Sequence, residues 1–414
     1  MPYYNGKLIQ DLRSCTAIPT PYYVTDEIRL RRNLRCLLDI KEQSGARILL
    51  AQKAFSMFAL YPIVGEYLDG VTASGLFEAR LGYEKMGKEN HIFSPAYTEE
   101  TFDEILSMCG HIVFNSPSQW LRFREKALLA RANGVACPPH DSSETSSESR
   151  HHPSFGLRIN PEHSTQEHGI YDPCSPGSRL GITSAQLTPE LMEGIDGLHF
   201  HTLCEQNVDA LESTLAVVEE RFASYLHELK WLNLGGGHHI TREDYDREHL
   251  IQIIRYLRET YNVAVYLEPG EAVALNAGFL VSRVVDILEN NGLNAILDTS
   301  AACHMPDVLE MPYQPKIIGA RFASDVTSVS TEPSYTYRLG GPSCLAGDVI
   351  GEYVFDHPLA IGEPLIFCDM AIYSMVKNNT FNGIPLPAIA HRKESGEIRL
   401  VKAFGYEDFA GRLS

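Results

Sequence analysis

The chain lacks a membrane span, a basic leader and a metal-binding cysteine pattern. No run of eighteen or more apolar residues occurs in its 414 positions, so a membrane-crossing helix is not expected. The opening stretch MPYYNGKLIQDLRS has no basic flank followed by an apolar block. A secretory signal is therefore not expected, and the cytoplasm is the expected compartment. The nine cysteines are scattered and odd in number. With no CxxC pair and no Cys/His metal spacing, they read as free thiols in a reducing compartment, and no metal is expected. Positive charge is also short: 35 Lys and Arg stand against 53 Asp and Glu, a net charge of −18. That balance repels phosphates, speaks against nucleic acid as a partner, and favours cationic small molecules. Acidity for solubility alone is the plainer reading of the same number.

What is present describes a globular protein: 44% hydrophobic and 21% charged residues, in a chain long enough for two domains. Eight strand-like runs follow one another from residue 48: 48–55, 70–75, 91–96, 111–115, 154–160, 197–203, 230–237 and 264–270. Amphipathic helical patterns lie between most of them, at 98–109, 117–133, 209–229 and 242–261. Strand–helix alternation predicts a parallel sheet, and eight units predict a closed (β/α)8 barrel over 31–275. A doubly wound open sheet is the alternative. After Gly270 the texture turns β-rich, with short runs at 278–288, 294–298, 315–322, 335–339 and 364–369 split by Gly and Pro. Residues 276–414 are expected to form an antiparallel β domain, joined by a segment from residues 1–30 through PTPYYVTD (19–26). Residues 137–153, CPPHDSSETSSESRHHP, are polar and low in complexity. They are expected to be a disordered insertion without a part in the chemistry. Residues 160–181 read as a long loop over the barrel mouth, able to act as a lid.

Chemistry in such a barrel collects at the C-terminal ends of the strands. The first run ends in AQKAF, which puts Lys53 at that rim. A buried lysine loses part of its proton affinity and becomes a nucleophile able to form a Schiff base. The second run ends in Thr72-Ala73-Ser74-Gly75. The sixth carries His199-Phe200-His201, whose alternation sends both imidazoles to one face. The seventh ends in Gly235-Gly236-Gly237, whose backbone N–H groups suit a phosphate. The eighth ends in Glu268-Pro269-Gly270-Glu271. A carboxylate beside a pyridine nitrogen keeps that nitrogen protonated. Singly, each has a plainer reading: a snorkelling lysine, a core histidine, a tight loop, an ion-paired rim residue. Together they supply an amine, a ring platform, a phosphate cradle and a pyridinium partner, the four needs of pyridoxal 5'-phosphate.

On these motifs the chain resembles the alanine-racemase-like, fold-type-III pyridoxal-phosphate enzymes, whose decarboxylase branch acts on ornithine, diaminopimelate and carboxynorspermidine. The resemblance covers nearly the whole chain apart from the 137–153 insertion. It implies an N-terminal barrel, a C-terminal β domain and a homodimer with shared active sites. It implies further that Lys53 carries the cofactor, that His201 stacks on its ring, that Gly235, Gly236 and Gly237 hold the phosphate, and that Glu268 meets the pyridine nitrogen. Cys344 in GGPSCLAGD is similar to the partner-supplied cysteine that returns a proton after carbon dioxide leaves. Tyr373 in MAIYSM is similar to a tyrosine near the phosphate.

Three departures narrow the resemblance to the branch that decarboxylates carboxynorspermidine or carboxyspermidine. Ornithine and diaminopimelate decarboxylases usually carry EPGR; this chain has EPGE, with Glu271 in the arginine's place. It also has ACHMPDVLEMPYQP (302–315), and GPSCLAGD in place of the commoner acidic pattern after the cysteine. A carboxylated triamine presents several ammonium groups, so Glu271, Asp307 and Asp348 are the expected substrate-binding residues. Arg179 is a weaker candidate for an anionic group. The rival readings are a diaminopimelate decarboxylase, an amino-acid racemase, and a non-catalytic homologue that regulates an active decarboxylase by binding it. Like charge between Glu271 and a distal carboxylate disfavours the first. The acidic ring partner disfavours the second. Retention of Lys53, His201, the glycines and Glu268 disfavours the third.

Overall fold

The computed structural model describes residues 6–136, 150–325 and 334–414. Residues 137–149, most of the expected insertion, lie outside the described residues. Its last part is described: Arg150–His151 pair antiparallel with Val135–Ala136. Two compact units divide the chain, Arg31–Val273 and Met1–Leu30 together with Ala274–Ser414.

In the first unit all eight apolar runs become short parallel strands: Arg47–Ala51, Gly70–Ala73, Glu89–Phe93, His111–Phe114, Ser154–Arg158, Gly197–His199, Trp231–Asn233 and Ala264–Leu267. They form a closed barrel, sealed where Tyr266 and Leu267 pair with Arg47 and Ile48. That seal rules out the open sheet. Each strand stops short of its apolar run because the chain turns outward at the rim; Ala54 N–H already folds back to Ala51 O at 3.2 Å.

The crossover helices follow from caps and periodicity. Ser116 accepts from Gln119 N–H at 3.2 Å and Pro117 opens the helix Pro117–Asn133, where a missing N–H costs nothing. Val208–Leu226 buries Leu211, Leu215, Val218, Phe222 and Leu226, a stripe at helical spacing. The helix expected from 242 begins at Arg247, because Asp246 caps it through His249 N–H at 3.0 Å. Inside the barrel Leu49, Val113, Trp231 and Tyr266 pack together. Gly156 and Gly197 make room for the Trp231 indole, since a Cβ at either would collide with that ring. His91 and His111 stack at 4.0 Å. Burial depresses both imidazoles, His91 to about 3, so they serve the core as neutral rings.

The second unit is a nine-stranded mixed sheet. Most pairs are antiparallel, as expected, but Tyr22–Asp26 runs parallel to Ala388–Arg392 and Leu293–Leu297 parallel to Tyr335–Gly340. Tyr22–Asp26 is wholly buried and pairs on its other side with Gly278–Glu289. Arg392, opposite Asp26 in the register and 4% exposed, donates to Asp26 at 2.5 Å and Asp11 at 2.6 Å. A buried guanidinium needs such partners. Three strands escape the sequence reading: Val349–Phe355, Ala388–Arg392 and Ile398–Lys402. Conversely, only Arg321–Phe322 of the run expected at 315–322 pairs as a strand.

Candidate active site

Lys53 stands in the turn after the first barrel strand. One expectation needs correcting here: the side chain is not buried but open to solvent. It lies down inside the rim, however, ringed by protein. That partial desolvation, and then the positive Arg158, lower its proton affinity. The open mouth limits the effect, and the direction is what the geometry supports independently. His201 Nδ1 accepts the Gly236 N–H at 2.8 Å, so the ring proton of the neutral imidazole is on Nε2. That nitrogen is 3.3 Å from Lys53 Nζ. An Nε2–H donates toward Nζ there, an arrangement that disfavours the ammonium form of Lys53 and acts in the same direction as desolvation. Burial, followed by Lys53 and Arg158, holds His201 well below its ordinary value, which keeps it neutral.

His201 is fixed from two further directions. Arg158, 4% exposed, donates to His201 O at 3.0 Å and lies 4.5 Å over the Phe93 ring. The glycine loop behind the ring exists because chain meets chain there. Gly235 and Gly237 have φ of +71° and +83°. A Cβ at Gly235, Gly236 or Gly237 would strike Phe200 O, Glu268 O or Leu203 O respectively. The three amides are not all available to an anion, as the sequence suggested. Gly235 N–H is taken by Asn233 Oδ1 at 2.8 Å and Gly236 N–H by His201. Of the three, only the Gly237 N–H has no acceptor among the described residues.

Glu268 is the third element. Asn233 Nδ2 donates to its Oε1 at 2.8 Å and His199 lies 3.2 Å from its Oε2. Burial works against ionisation, but the charge of His199, then its hydrogen bond and that of Asn233, outweigh it and hold the carboxyl well below the usual carboxylate range. Burial lowers the proton affinity of His199, while Glu268 acts on it in the opposite direction. Both His199 and Asn233 are aimed at the one carboxylate. Asn233 was missed in the sequence, yet it joins Gly235 to Glu268 with one side chain. Its signal was strand alternation, which turns Trp231 and Asn233 to the same side. Arg158 was missed for the same reason, as the last residue of an apolar strand.

Glu271 lies beside His239, with His239 Nε2 3.6 Å from its Oε1, and Glu205 completes a group of three. The 160–181 loop is tied down at both ends. Asn115 donates to Arg179 O and accepts from Gly181 N–H, each at 2.8 Å. Thr165 and Gln166 bond Gln206 at 2.9 and 2.6 Å. The Arg179 side chain is exposed.

The remaining candidates belong to the sheet unit. Cys344 is an exposed thiol on a loop held by Cys344 N–H to Asn382 Oδ1 at 2.9 Å. Asp348 is expected on the substrate, but it is 4% exposed. Its carboxylate accepts from Ser300 and Ser343 hydroxyls at 2.8 and 2.6 Å and from Ala302 N–H at 3.2 Å. It anchors the Cys344 loop, and its oxygens are spent there. Asp307 is likewise engaged, in an ion pair with Lys377, which also bonds Glu310 at 2.7 Å. Tyr373 has a φ of +53°, a conformation a tyrosine adopts only under constraint.

An amine of lowered proton affinity, an ionised carboxylate, a fixed flat ring and a glycine turn on one rim fit pyridoxal phosphate. Comparison with known proteins agrees. The family described as "Pyridoxal-dependent decarboxylase, C-terminal sheet domain" matches residues 22–371. The chain belongs to the pyridoxal-dependent decarboxylases. Within them, this decarboxylase is 43% identical to the carboxynorspermidine/carboxyspermidine decarboxylase of Campylobacter jejuni over 95% of its own length and 98% of the relative's. It is 41% identical to the carboxyaminopropylagmatine decarboxylase of Synechocystis over 96% of each chain. The crystal structure of carboxynorspermidine decarboxylase from Campylobacter jejuni, complexed with norspermidine, superposes with a TM-score of 0.83 at 42% identity, over 95% of this chain and 100% of that one.

Proposed function

We propose that the enzyme decarboxylates carboxynorspermidine or carboxyspermidine, giving norspermidine or spermidine. The observation that carries this reading is Glu271: three residues after Glu268, the rim carries a carboxylate that attracts ammonium groups and repels a second substrate carboxylate. Pyridoxal phosphate, when bound, supplies the electron sink for cleavage of the bond to the α-carboxylate. Lys53 Nζ would carry the cofactor, His201 would present its flat face to the ring, Gly237 N–H would hold a phosphate oxygen, and the Glu268 carboxylate would accept a hydrogen bond from the protonated ring nitrogen. Tyr373 is the proposed additional phosphate partner. The Cys344 thiol delivers a proton to the α-carbon after carbon dioxide leaves.

A second reading has a specific observation behind it. The Synechocystis relative is almost as similar, and its name implies a substrate ending in a guanidinium, a planar cation that a carboxylate also binds well. Purified holoenzyme should release carbon dioxide from carboxynorspermidine at a higher kcat/KM than from carboxyaminopropylagmatine or diaminopimelate. No release from the first, with cofactor saturating, would sink the proposal.

The enzyme is proposed to act as a homodimer, each Cys344 serving the barrel of the other copy. Mixing Lys53→Ala and Cys344→Ala chains, each nearly inactive alone, should then restore activity, because the mixed dimer rebuilds one intact site. A mixture as inactive as its parts would show that one chain supplies both groups.

A further inference from the structure

Glu205, His239 and Glu271 form a second group of side chains on the barrel rim. One ligand-type atom from each residue lies within 4.8 Å of the others. Glu205 reaches this position from a left-handed backbone, φ +55°, locked by Gln206 N–H to Gly237 O at 3.0 Å and His239 N–H to Gln206 O at 3.1 Å. An L residue held there aims its side chain at a cost the surrounding bonds offset.

His239 supplies an independent pointer to a ligand. It is 7% exposed, and its buried Nε2 has no hydrogen-bond partner, although it is aimed at Glu271 from 3.6 Å. Its Nδ1 faces Arg242 Nη1 at 3.2 Å. A guanidinium only donates, so Nδ1 accepts and Nε2 bears the proton. This polarity argues against a metal: a ligating imidazole offers a lone pair and usually donates its other N–H to a carboxylate or carbonyl. Here the orientation is reversed. An Nε2–H pointed at two carboxyls supports them as anion-like acceptors for something positive.

Two carboxylates this close repel each other, and a cation between them relieves the repulsion. Burial, and after it the neighbouring Glu271, raise the Glu205 carboxyl above its ordinary value. The other groups facing it are His239, the thiol of Cys204, and Arg242. The Arg242 charge is already committed to Asp244 at 2.6 Å and Asn207 at 2.7 Å. Among the described residues, no cation fills the space between the two carboxyls.

We infer that Glu205 and Glu271, backed by His239, receive the distal ammonium of the substrate. This rests on the polyamine reading above and names the residues that select for it. Where Glu205 is still protonated, the exchange balances: the bound ammonium brings one positive charge, and the Glu205 proton leaves to solvent. Affinity therefore rises with pH while Glu205 holds its proton, and levels off once it is ionised.

Norspermidine titrated calorimetrically into the holoenzyme, in buffers of different ionisation enthalpy, counts the protons released. The wild type should release protons on the acidic side of the Glu205 titration. Glu205→Gln should release none and bind norspermidine roughly tenfold more weakly, the worth of one charge-assisted hydrogen bond. Its KM for carboxynorspermidine should rise by more than its kcat falls, and Glu205→Asp should recover part of the loss. Glu271→Gln should show the same pattern. Wild-type affinity and proton count in both Gln variants, with carboxynorspermidine still turned over, would overturn the receptor and leave the polyamine reading standing. Zinc binding lost in both variants while norspermidine affinity holds would overturn it in favour of a metal site. A wild type that neither binds norspermidine nor releases carbon dioxide removes both readings.

Discussion

Lys53→Ala abolishes turnover, with a loss on the order of 10⁴-fold or more, as expected when the residue that bonds the cofactor is removed. The effect is separable from folding. Lys53 is solvent-open and makes one side-chain hydrogen bond, to His201, so truncation opens no cavity in the core. A surface change of this kind alters stability by about 0.5 kcal/mol or less. The protein should therefore keep its thermal midpoint while losing carbon dioxide release and the visible absorbance of lysine-linked cofactor. Substantial remaining turnover would refute the assignment of Lys53. Lost absorbance with intact turnover would point to another amine.

The second large effect falls on Glu268→Gln. The substitution keeps shape and removes charge. Asn233 can still donate to the amide oxygen, while His199 must turn its lone pair toward the new amide N–H. His199 can do so because its Nδ1 has no partner in the buried pocket and is free to take the ring proton. The variant is therefore expected to fold and to bind cofactor through Lys53. It lacks the negative charge that keeps a ring nitrogen protonated, and removing one such preorganised group costs about 10²–10³ in kcat. Single-turnover release of carbon dioxide is the measurement, because it excludes product release. A change smaller than a few fold would make Glu268 a structural partner of His199 and Asn233 only.

The barrel was legible because its signal is local. Each apolar run of four to eight residues, followed by a polar-faced helix, marks one strand and its crossover, and eight in succession leave few architectures. The rim residues were legible for the same reason, since the end of a run is the end of a strand. What escaped depends on partners far along the chain. Nothing near Gly236 indicates that His201, thirty-five positions earlier, consumes its N–H. Nothing around Asp348 indicates that Ser300 and Ala302 turn it into a loop anchor. Glu205 and His239 stood beside motifs that were noticed, HFHTL and GGG, but their meeting with Glu271 is a product of the closed barrel. In the sheet unit, Ile398–Lys402 is mostly exposed and shows no two-residue alternation of burial, so it carried no strand signature.

The path of the chain through the sheet has a consequence for how the protein is made. Tyr22–Asp26 leaves the ribosome early, yet its two neighbours, Gly278–Glu289 and Ala388–Arg392, are synthesised some 250 and 360 residues later. At a synthesis rate of about 5–20 residues per second, this tyrosine-rich strand waits tens of seconds with both edges unpaired. The barrel, whose strands pair almost entirely with sequence neighbours, can close in that interval. The nascent chain thus carries a finished catalytic half and an unsatisfied β-edge together. The period of greatest exposure to aggregation or chaperone capture ends only when Arg392 arrives to neutralise Asp26.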